Sequence, residues 1–466
     1  MMHTMLGWGI VTAAAAGLGL GFIRLLRIAA IGSAYKAKAI CSAIFVSGRD
    51  LGSVLAEDVS ADSYRVMRLF RTRVDPGRRT VTASFLGLRP RTAVYRAGLG
   101  ATLVGDGALY GGLGAALPSA PTADPARPWP EGEPRGLVAA ADPRLARAVA
   151  KVFTEPDPRR LRRTRAVVVV HDGRIAAEQY APGFGPHTPL PGWSMAKGVM
   201  SSLIGILVGQ GRLALTDKVL LPEWSGPRDP RREIRLDDLL RMRSGLAFSE
   251  IYSDPLSDVT RMLFASSSAA AAAAVQTMRT APGRAWAYAS GTTNILSRIM
   301  RLALERAGEN HLAFPRQALF GPVGMRSAVF EPDAAGDFVG SSFLLATARD
   351  WARLGWLYAG DGVWAGRRVL PPGWVDYCRT PTPQSPQGRY GAHWWLKLSK
   401  EFGGDTPAAG RIPADAFFAM GHEGQVVAVI PSLRLVTVRL GLSVYVDAWD
   451  QAAFLSDLLD VFANPA

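Results

Sequence analysis

Three hydrophobic patterns divide the chain. From Leu6 to Ile23 it is apolar and free of charge, which predicts a helix at the short edge of bilayer-spanning length. Arg24 and Arg27 close this run, and Lys36 and Lys38 follow. A cleavable signal peptide needs positive charge before the apolar run and a small-residue site after it. Neither is evident, so an uncleaved, single-pass anchor over residues 1–30 is expected. By the positive-inside rule its flanking charges would keep the following chain in the cytoplasm.

The second pattern is a period of two. Thr80–Phe85 and Thr92–Tyr95 read as short strands after the turn Val74-Asp-Pro-Gly77. They belong to an N-terminal extension, 31–116, to which no chemistry attaches. Residues 117–134 are proline-rich, without hydrophobic period, and read as a linker. Beyond them Arg165-Ala-Val-Val-Val-Val170 reads as a buried strand, turned by His171-Asp-Gly173 and returned by Arg174–Tyr180. Gln425–Ile430 and Leu435–Leu440 form a second strand pair, followed by an amphipathic helix over Ala448–Phe462.

The third pattern, between these strands, is helical. Ser194–Val208, Arg235–Gly245 and the Ser/Ala run Ser266–Ala274 are its main segments. Strands at both ends with helices between predict an α/β (α+β) domain over 135–466. Its antiparallel central sheet would be closed by N- and C-terminal strands and flanked by helices, with a helical subdomain.

Composition adds limits. The 466 residues carry a net charge of +14, mostly as arginine in short clusters such as Arg159-Arg160-Leu-Arg-Arg163. No basic helix with interleaved aromatics accompanies them, which argues against nucleic acid. Affinity for an anionic membrane surface is the milder reading. Cys41 and Cys378 make neither a disulfide framework nor a zinc site. The six histidines show no ligand spacing, so no metal and no cofactor are expected.

The candidate chemistry starts in Leu190-Pro-Gly-Trp-Ser-Met-Ala-Lys197, a tight turn feeding an apolar helix, with Ser194 as a plausible N-cap. Ser194 and Lys197 would share one helix face. A buried lysine loses proton affinity and can take the proton of a serine nucleophile. The pattern alone is weak, because Ser33-Ala-Tyr-Lys36 repeats it. Two later stretches supply partners. One is Tyr288-Ala-Ser290, at the end of a loop and before a helix. The other is His422-Glu-Gly424-Gln425, leading into the C-terminal strand pair. Beside a cationic lysine a tyrosine can be held partly as phenolate and act as base. A backbone amide near Gly424, with that of Ser194, would make an oxyanion hole.

Ser-x-x-Lys, then Tyr-x-Ser, then His-x-Gly before a strand, resembles the order of the serine β-lactamase-like hydrolases of class C type. Their relatives include penicillin-binding DD-peptidases, carboxylesterases and 6-aminohexanoate-dimer hydrolases. The resemblance runs from about Ala166 to Leu458 and includes Leu239-Leu-Arg-Met-Arg-Ser-Gly-Leu246. It implies a β-lactamase/transpeptidase-like fold, an acylated Ser194, Lys197 as its proton partner and Tyr288 as general base and acid. It also implies a binding position for Ser290, His422 at the third motif's basic position, and an oxyanion amide from Gln425 beside Gly424. Class C β-lactamases carry asparagine and usually lysine where Ser290 and His422 stand, so the pattern is more similar to the esterase and 6-aminohexanoate-dimer hydrolase branch. The substrate expected is a small-molecule ester or amide, and family habit puts the catalytic domain in the periplasm or otherwise outside the cytoplasm. The alternatives are a DD-peptidase or β-lactamase, or a non-catalytic membrane-tethered binding module. His171-Asp-Gly173 also fits His-x-Gly but reads as a hairpin turn. The Gly-x-Ser-x-Gly elbow of α/β-hydrolases is absent, since Ala196 follows Ser194 by two.

Overall fold

The computed structural model describes residues 2–60, 62–104, 117, 127–134, 136–218, 220–445 and 447–463, with side chains from 17 on apart from 62 and 63. Residues 118–126 of the proline-rich stretch, 105–116 before it, and the side chains of the first part of the apolar run lie outside the described residues.

Five antiparallel strands form the central sheet in the order Phe417–Gly421, Gln425–Ile430, Leu435–Gly441, Thr164–His171, Arg174–Tyr180. Val438 lies opposite Val168, so the two ends of the domain close one sheet. The uninterrupted valine run follows from burial on both faces. Val168 and Val170 join the core that includes Trp351, Ala352 and Leu354 of the helix Ala348–Ala359. Val167 and Val169 join a second core, with Leu145 and Val149 of Pro143–Val152 and Leu455 and Leu458 of Gln451–Phe462. His171-Asp-Gly173 is the hairpin turn its residues predict: Asp172 and Gly173 have φ of 50° and 73°.

The N-terminal region departs from its expected layout. One helix, α1, runs unbroken over Met2–Phe45; it does not stop at residue 30. Leu18, Leu20, Phe22, Ile23 and Leu25 are exposed, whereas Ala34, Ala37, Ile40 and Cys41 are buried. This second half of α1 lies on an antiparallel meander of β1 (Phe70–Asp75), β2 (Thr80–Phe85), β3 (Leu88–Arg96) and β4 (Gly100–Val104). Small residues permit the approach: a Cβ on Gly32 would come within 2.5 Å of the Phe70 ring.

Lys36 and Lys38 are not juxtamembrane charges either. Lys36 Nζ donates to the carbonyls of Met67 (2.8 Å) and Phe70 (2.7 Å), and Lys38 pairs with Glu331. Both lysines are buried, so of the four charges used to orient the chain only Arg24 and Arg27 are exposed. Ser33 Oγ donates to its own helix at Ala29 O (2.9 Å), which makes Ser33-Ala-Tyr-Lys36 structural.

Glu331 fastens the extension to the rest of the chain. It is fully buried, takes the Lys38 ammonium, and accepts from Ser42 Oγ (2.9 Å) and the Ala101 amide (2.7 Å). Lys38→Met would leave this carboxylate without its counter-charge, a loss of about 3–5 kcal/mol. A correspondingly lower urea midpoint, followed by tryptophan fluorescence, is the expected result.

The stretch read as a linker is also tied down where it is described. Trp129 is buried, and Arg353 donates to the carbonyls of Pro130 (2.8 Å) and Gly132 (2.7 Å). Arg349 holds Gly136 O at 2.8 Å, and Glu133 pairs with both arginines.

Candidate active site

A tight turn places the serine. Leu190–Pro191 pairs with Leu345–Ala346, Gly192 N donates to Leu344 O (2.8 Å), and Trp193–Met195 makes one 3-10 turn before the helix Ala196–Gly209. Ser194 therefore sits ahead of the helix instead of capping it; the cap position falls to Met195, without a side-chain bond. Trp193 has φ 47°, a costly conformation for a bulky residue. A side chain at Gly192 has no room, since its Cβ would lie 2.1 Å from the Trp351 ring.

Lys197 is buried one turn later. Its Nζ donates to Ser194 Oγ (2.9 Å), Ser290 Oγ (3.1 Å) and Ser341 O (3.1 Å). Burial lowers its pKa to about 8, against the opposing pull of the Glu250 charge. Glu250 is the residue that motif reasoning missed. Its carboxylate accepts from Ser290 Oγ (2.5 Å) and Ser290 N (2.8 Å). Burial raises its pKa, with Lys197 acting the other way. Ser194, Lys197, Ser290 and Glu250 thus form one hydrogen-bonded line. Ser290, expected at a binding position, is fully buried, and its amide and hydroxyl are both engaged in that line.

The Tyr288 ring lies 4.8 Å from Lys197 Nζ. The expected phenolate is corrected. Burial first, and the Glu250 charge second, raise the Tyr288 pKa, while the Ser194 hydroxyl as hydrogen-bond partner lowers it. A carboxylate beside Lys197 removes the net positive field that a phenolate needs, so Tyr288 stands as a neutral phenol.

The third motif closes the hairpin between Phe417–Gly421 and Gln425–Ile430. Gly421 abuts the serine turn: a Cβ there would be 2.2 Å from Gly192 O. His422 is partly exposed, stacked on Tyr252 at 4.8 Å and edge-on to Trp193 at 5.5 Å. Gly424 has φ 85°, and Arg439 Nη1 donates to its carbonyl at 2.9 Å. Gln425 is buried; its Nε2 donates to the carbonyls of His422 (3.1 Å), Glu423 (3.2 Å) and Gly441 (2.7 Å). The side chain of Gln425 therefore holds the turn in shape.

Glu423, between these residues, carries a link that no motif announced. Its Oε1 accepts from Tyr64 OH (2.8 Å) in the extension and its Oε2 from Trp193 Nε1 (3.1 Å) beside the serine. Tyr64→Phe is expected to leave the fold intact and to lower kcat/KM for an ester about tenfold, through loss of a charge-assisted hydrogen bond. Unchanged kinetics would mean the extension has no bearing on this turn.

Aromatic rings wall the site. Tyr288 packs on Trp395 (5.3 Å) and Tyr390 (5.8 Å), and Trp286 on Trp395 (6.2 Å). The two residues before Trp395 are buried instead. Trp394 is core, against Tyr358 at 4.3 Å. His393 is buried between Leu240 O (2.7 Å) and Thr293 Oγ1 (2.9 Å), and burial lowers its pKa to about 3, so it is neutral and structural.

An antiparallel sheet backed by helices, with Ser-x-x-Lys at the head of a buried helix beside the sheet's edge hairpin, defines the β-lactamase/transpeptidase fold. The chain belongs to the beta-lactamase family, whose family model (Beta-lactamase) matches residues 149–452. It is 25% identical over 255 residues to a 6-aminohexanoate-dimer hydrolase of Paenarthrobacter ureafaciens, covering 50% of this chain and 64% of that protein. It thus spans less than two thirds of that relative's length. Among solved structures, a candidate 6-aminohexanoate-dimer hydrolase from Bacillus anthracis matches with a TM-score of 0.54 and 21% identity, over 64% of this chain and 79% of the other. A family VIII carboxylesterase matches with a TM-score of 0.52 and 15% identity, over 71% and 98%. The family is one of hydrolases, with esterases, amide hydrolases and β-lactamases among the neighbours of this chain.

Proposed function

We propose that the chain is a serine hydrolase that cleaves an uncharged ester or amide through an acyl-enzyme at Ser194. One observation carries the reading: Lys197 Nζ lies 2.9 Å from Ser194 Oγ in a site whose burial brings the lysine's pKa to about 8. A lysine so placed is partly neutral near physiological pH and can accept the serine proton. Ser194 Oγ then bonds to the substrate carbonyl carbon while its proton passes to Lys197. Backbone amides of Ser194 and Gln425 hold the oxyanion. As the tetrahedral adduct collapses, the bond to the leaving group breaks and Tyr288, a neutral phenol, gives it a proton. Lys197 returns its own proton to Tyr288. Water repeats the sequence on the acyl-enzyme and frees Ser194.

His422 and the rings of Trp193, Tyr252, Trp286 and Trp395 offer apolar contact to the substrate in place of a fixed cation, which favours a neutral acyl group over an anionic β-lactam. Residues 135–466 form the hydrolase domain in this reading, and α1 anchors it in a membrane, with the catalytic domain outside the cytoplasm. The likeness to an amide hydrolase and to a carboxylesterase supports both bond types as substrates. The test is intact-mass and peptide analysis after treatment with a fluorophosphonate. One adduct, on the peptide that contains Ser194, is expected; an adduct on another serine, or none, overturns the reading.

A further inference from the structure

Where α1 leaves the fold, the extension presents an unusual rim. The level is fixed by contacts: Gly32 lies on Phe70, and Lys36 Nζ holds the carbonyls of Met67 and Phe70. At the opposite end of the meander the Phe45 ring stacks on Tyr95 at 5.5 Å. From residue 45 to residue 32, then, α1 runs along the sheet towards the Phe70 end. Its exposed apolar stretch continues outward past that end.

Four large apolar side chains are bare there. Val66 and Leu69 are exposed on the 3-10 helix Asp62–Leu69, three residues apart and so on one face. Leu86 and Leu88 are exposed at the turn between β2 and β3. They form one patch, because Leu86 N donates to Leu69 O (3.2 Å) and the Phe70 and Phe85 rings meet at 5.2 Å beneath it. Around the patch Arg65, Arg68, Arg71 and Arg89 are exposed, and none has an ion-pair partner among the described residues.

Bare leucines ringed by unpaired arginines suit a bilayer interface, where the apolar groups enter the headgroup boundary and the guanidinium groups meet lipid phosphates. The spacing agrees. If the apolar run of α1 fills the hydrocarbon layer up to Arg24 and Arg27, Gly32 stands about 7.5 Å further along the helix axis. The headgroup layer is about 5–8 Å deep.

We propose that this apolar and basic rim is a second membrane contact, docked on the anionic phospholipid headgroups of the bilayer that α1 enters. The proposal rests on α1 being a membrane helix. It adds a charge-selective contact that fixes how the hydrolase domain stands on the surface. Through Tyr64, on the same 3-10 helix, that posture reaches Glu423 and the turn beside Ser194.

The test uses the full chain carrying Leu88→Cys in nanodiscs of phosphatidylglycerol or of phosphatidylcholine. Cys41 and Cys378 are buried, so a bulky aqueous maleimide reads the new thiol. Labelling is expected to be about tenfold slower in phosphatidylglycerol discs and to recover in 0.5 M salt. Arg68→Glu, Arg71→Glu and Arg89→Glu together should abolish the difference between lipids. Equal labelling in both lipids, with the chain still held by the discs, overturns the rim and leaves the anchor standing. A chain that elutes free of phosphatidylcholine discs in 0.5 M salt instead overturns the anchor. The rim is then judged by sedimentation of the same chain with phosphatidylglycerol vesicles, where loss of binding in the triple glutamate variant supports it and unaltered binding rejects it.

Discussion

Ser194→Ala is expected to hydrolyse p-nitrophenyl esters at about 10⁻⁴ of the unmodified rate or less and to take up no fluorophosphonate mass. The size follows from what the hydroxyl does. In the proposed mechanism no acyl-enzyme forms without it, and only the amides and the substrate contacts would remain to accelerate direct attack by water. The fold should tolerate the change, since Ser194 is partly exposed and its hydroxyl bonds only to its neighbours in the site, Lys197 and Tyr288. A melting temperature within a few degrees of the parent is therefore expected, so that lost activity reports chemistry. Ser33→Ala provides the contrast, because Ser33 Oγ is committed to Ala29 O inside α1. It should label and turn over as the parent does. A Ser194→Ala protein with normal turnover would remove the acyl-enzyme from this chain.

The pair of Ser-x-x-Lys stretches shows what was legible in the sequence. Local chemistry does not separate Ser33 from Ser194; the order of the downstream stretches Tyr288-Ala-Ser290 and His422-Glu-Gly424-Gln425 favours Ser194 as the candidate. The sheet was legible for a similar reason. A valine run buried on both faces, a turn with Asp172 and Gly173, and a C-terminal strand pair each state their own geometry, and one pairing between Val438 and Val168 joins them.

What stayed hidden depends on single buried charges that meet across long separations. Glu250 lies in a loop without pattern, and only folding brings it to Ser290. Its absence from the motif reading also produced the wrong ionisation of Tyr288, because a lysine was visible in the sequence and the carboxylate that offsets it was not. The docking of the extension turns on Lys38 with Glu331, and its link to the site on Tyr64 with Glu423. Lysines that read as flanking charges of a membrane helix were in fact spent inside the fold. No hydrophobic period records such contacts.

The second large effect concerns Lys197. Lys197→Met should lower kcat by about 10²–10⁴-fold, the usual worth of a positioned base, while Ser194 remains present and unactivated. A mere loss of packing would change stability more than rate, whereas this substitution removes a group that burial has tuned. The pH profile separates the two. In the proposed mechanism the working form of Lys197 is the neutral amine, so kcat/KM of the parent should climb with pH along a limb centred at about 8, the value burial gives this group. Glu250 opposes burial by favouring the charged ammonium. Glu250→Gln keeps an oxygen to accept from Ser290 but removes that charge, so the Lys197 pKa should fall and the limb should move to lower pH. The direction distinguishes the roles of the two proposed proton carriers. Tyr288 is held as a phenol by burial and by the same carboxylate. Were its phenolate the required base, the activity limb would lie well above the ordinary tyrosine range. A limb near 8 that shifts acidward in Glu250→Gln assigns the first proton transfer to Lys197. A limb that stays put in Glu250→Gln would mean that the line from Ser194 through Lys197 and Ser290 does not tune the base.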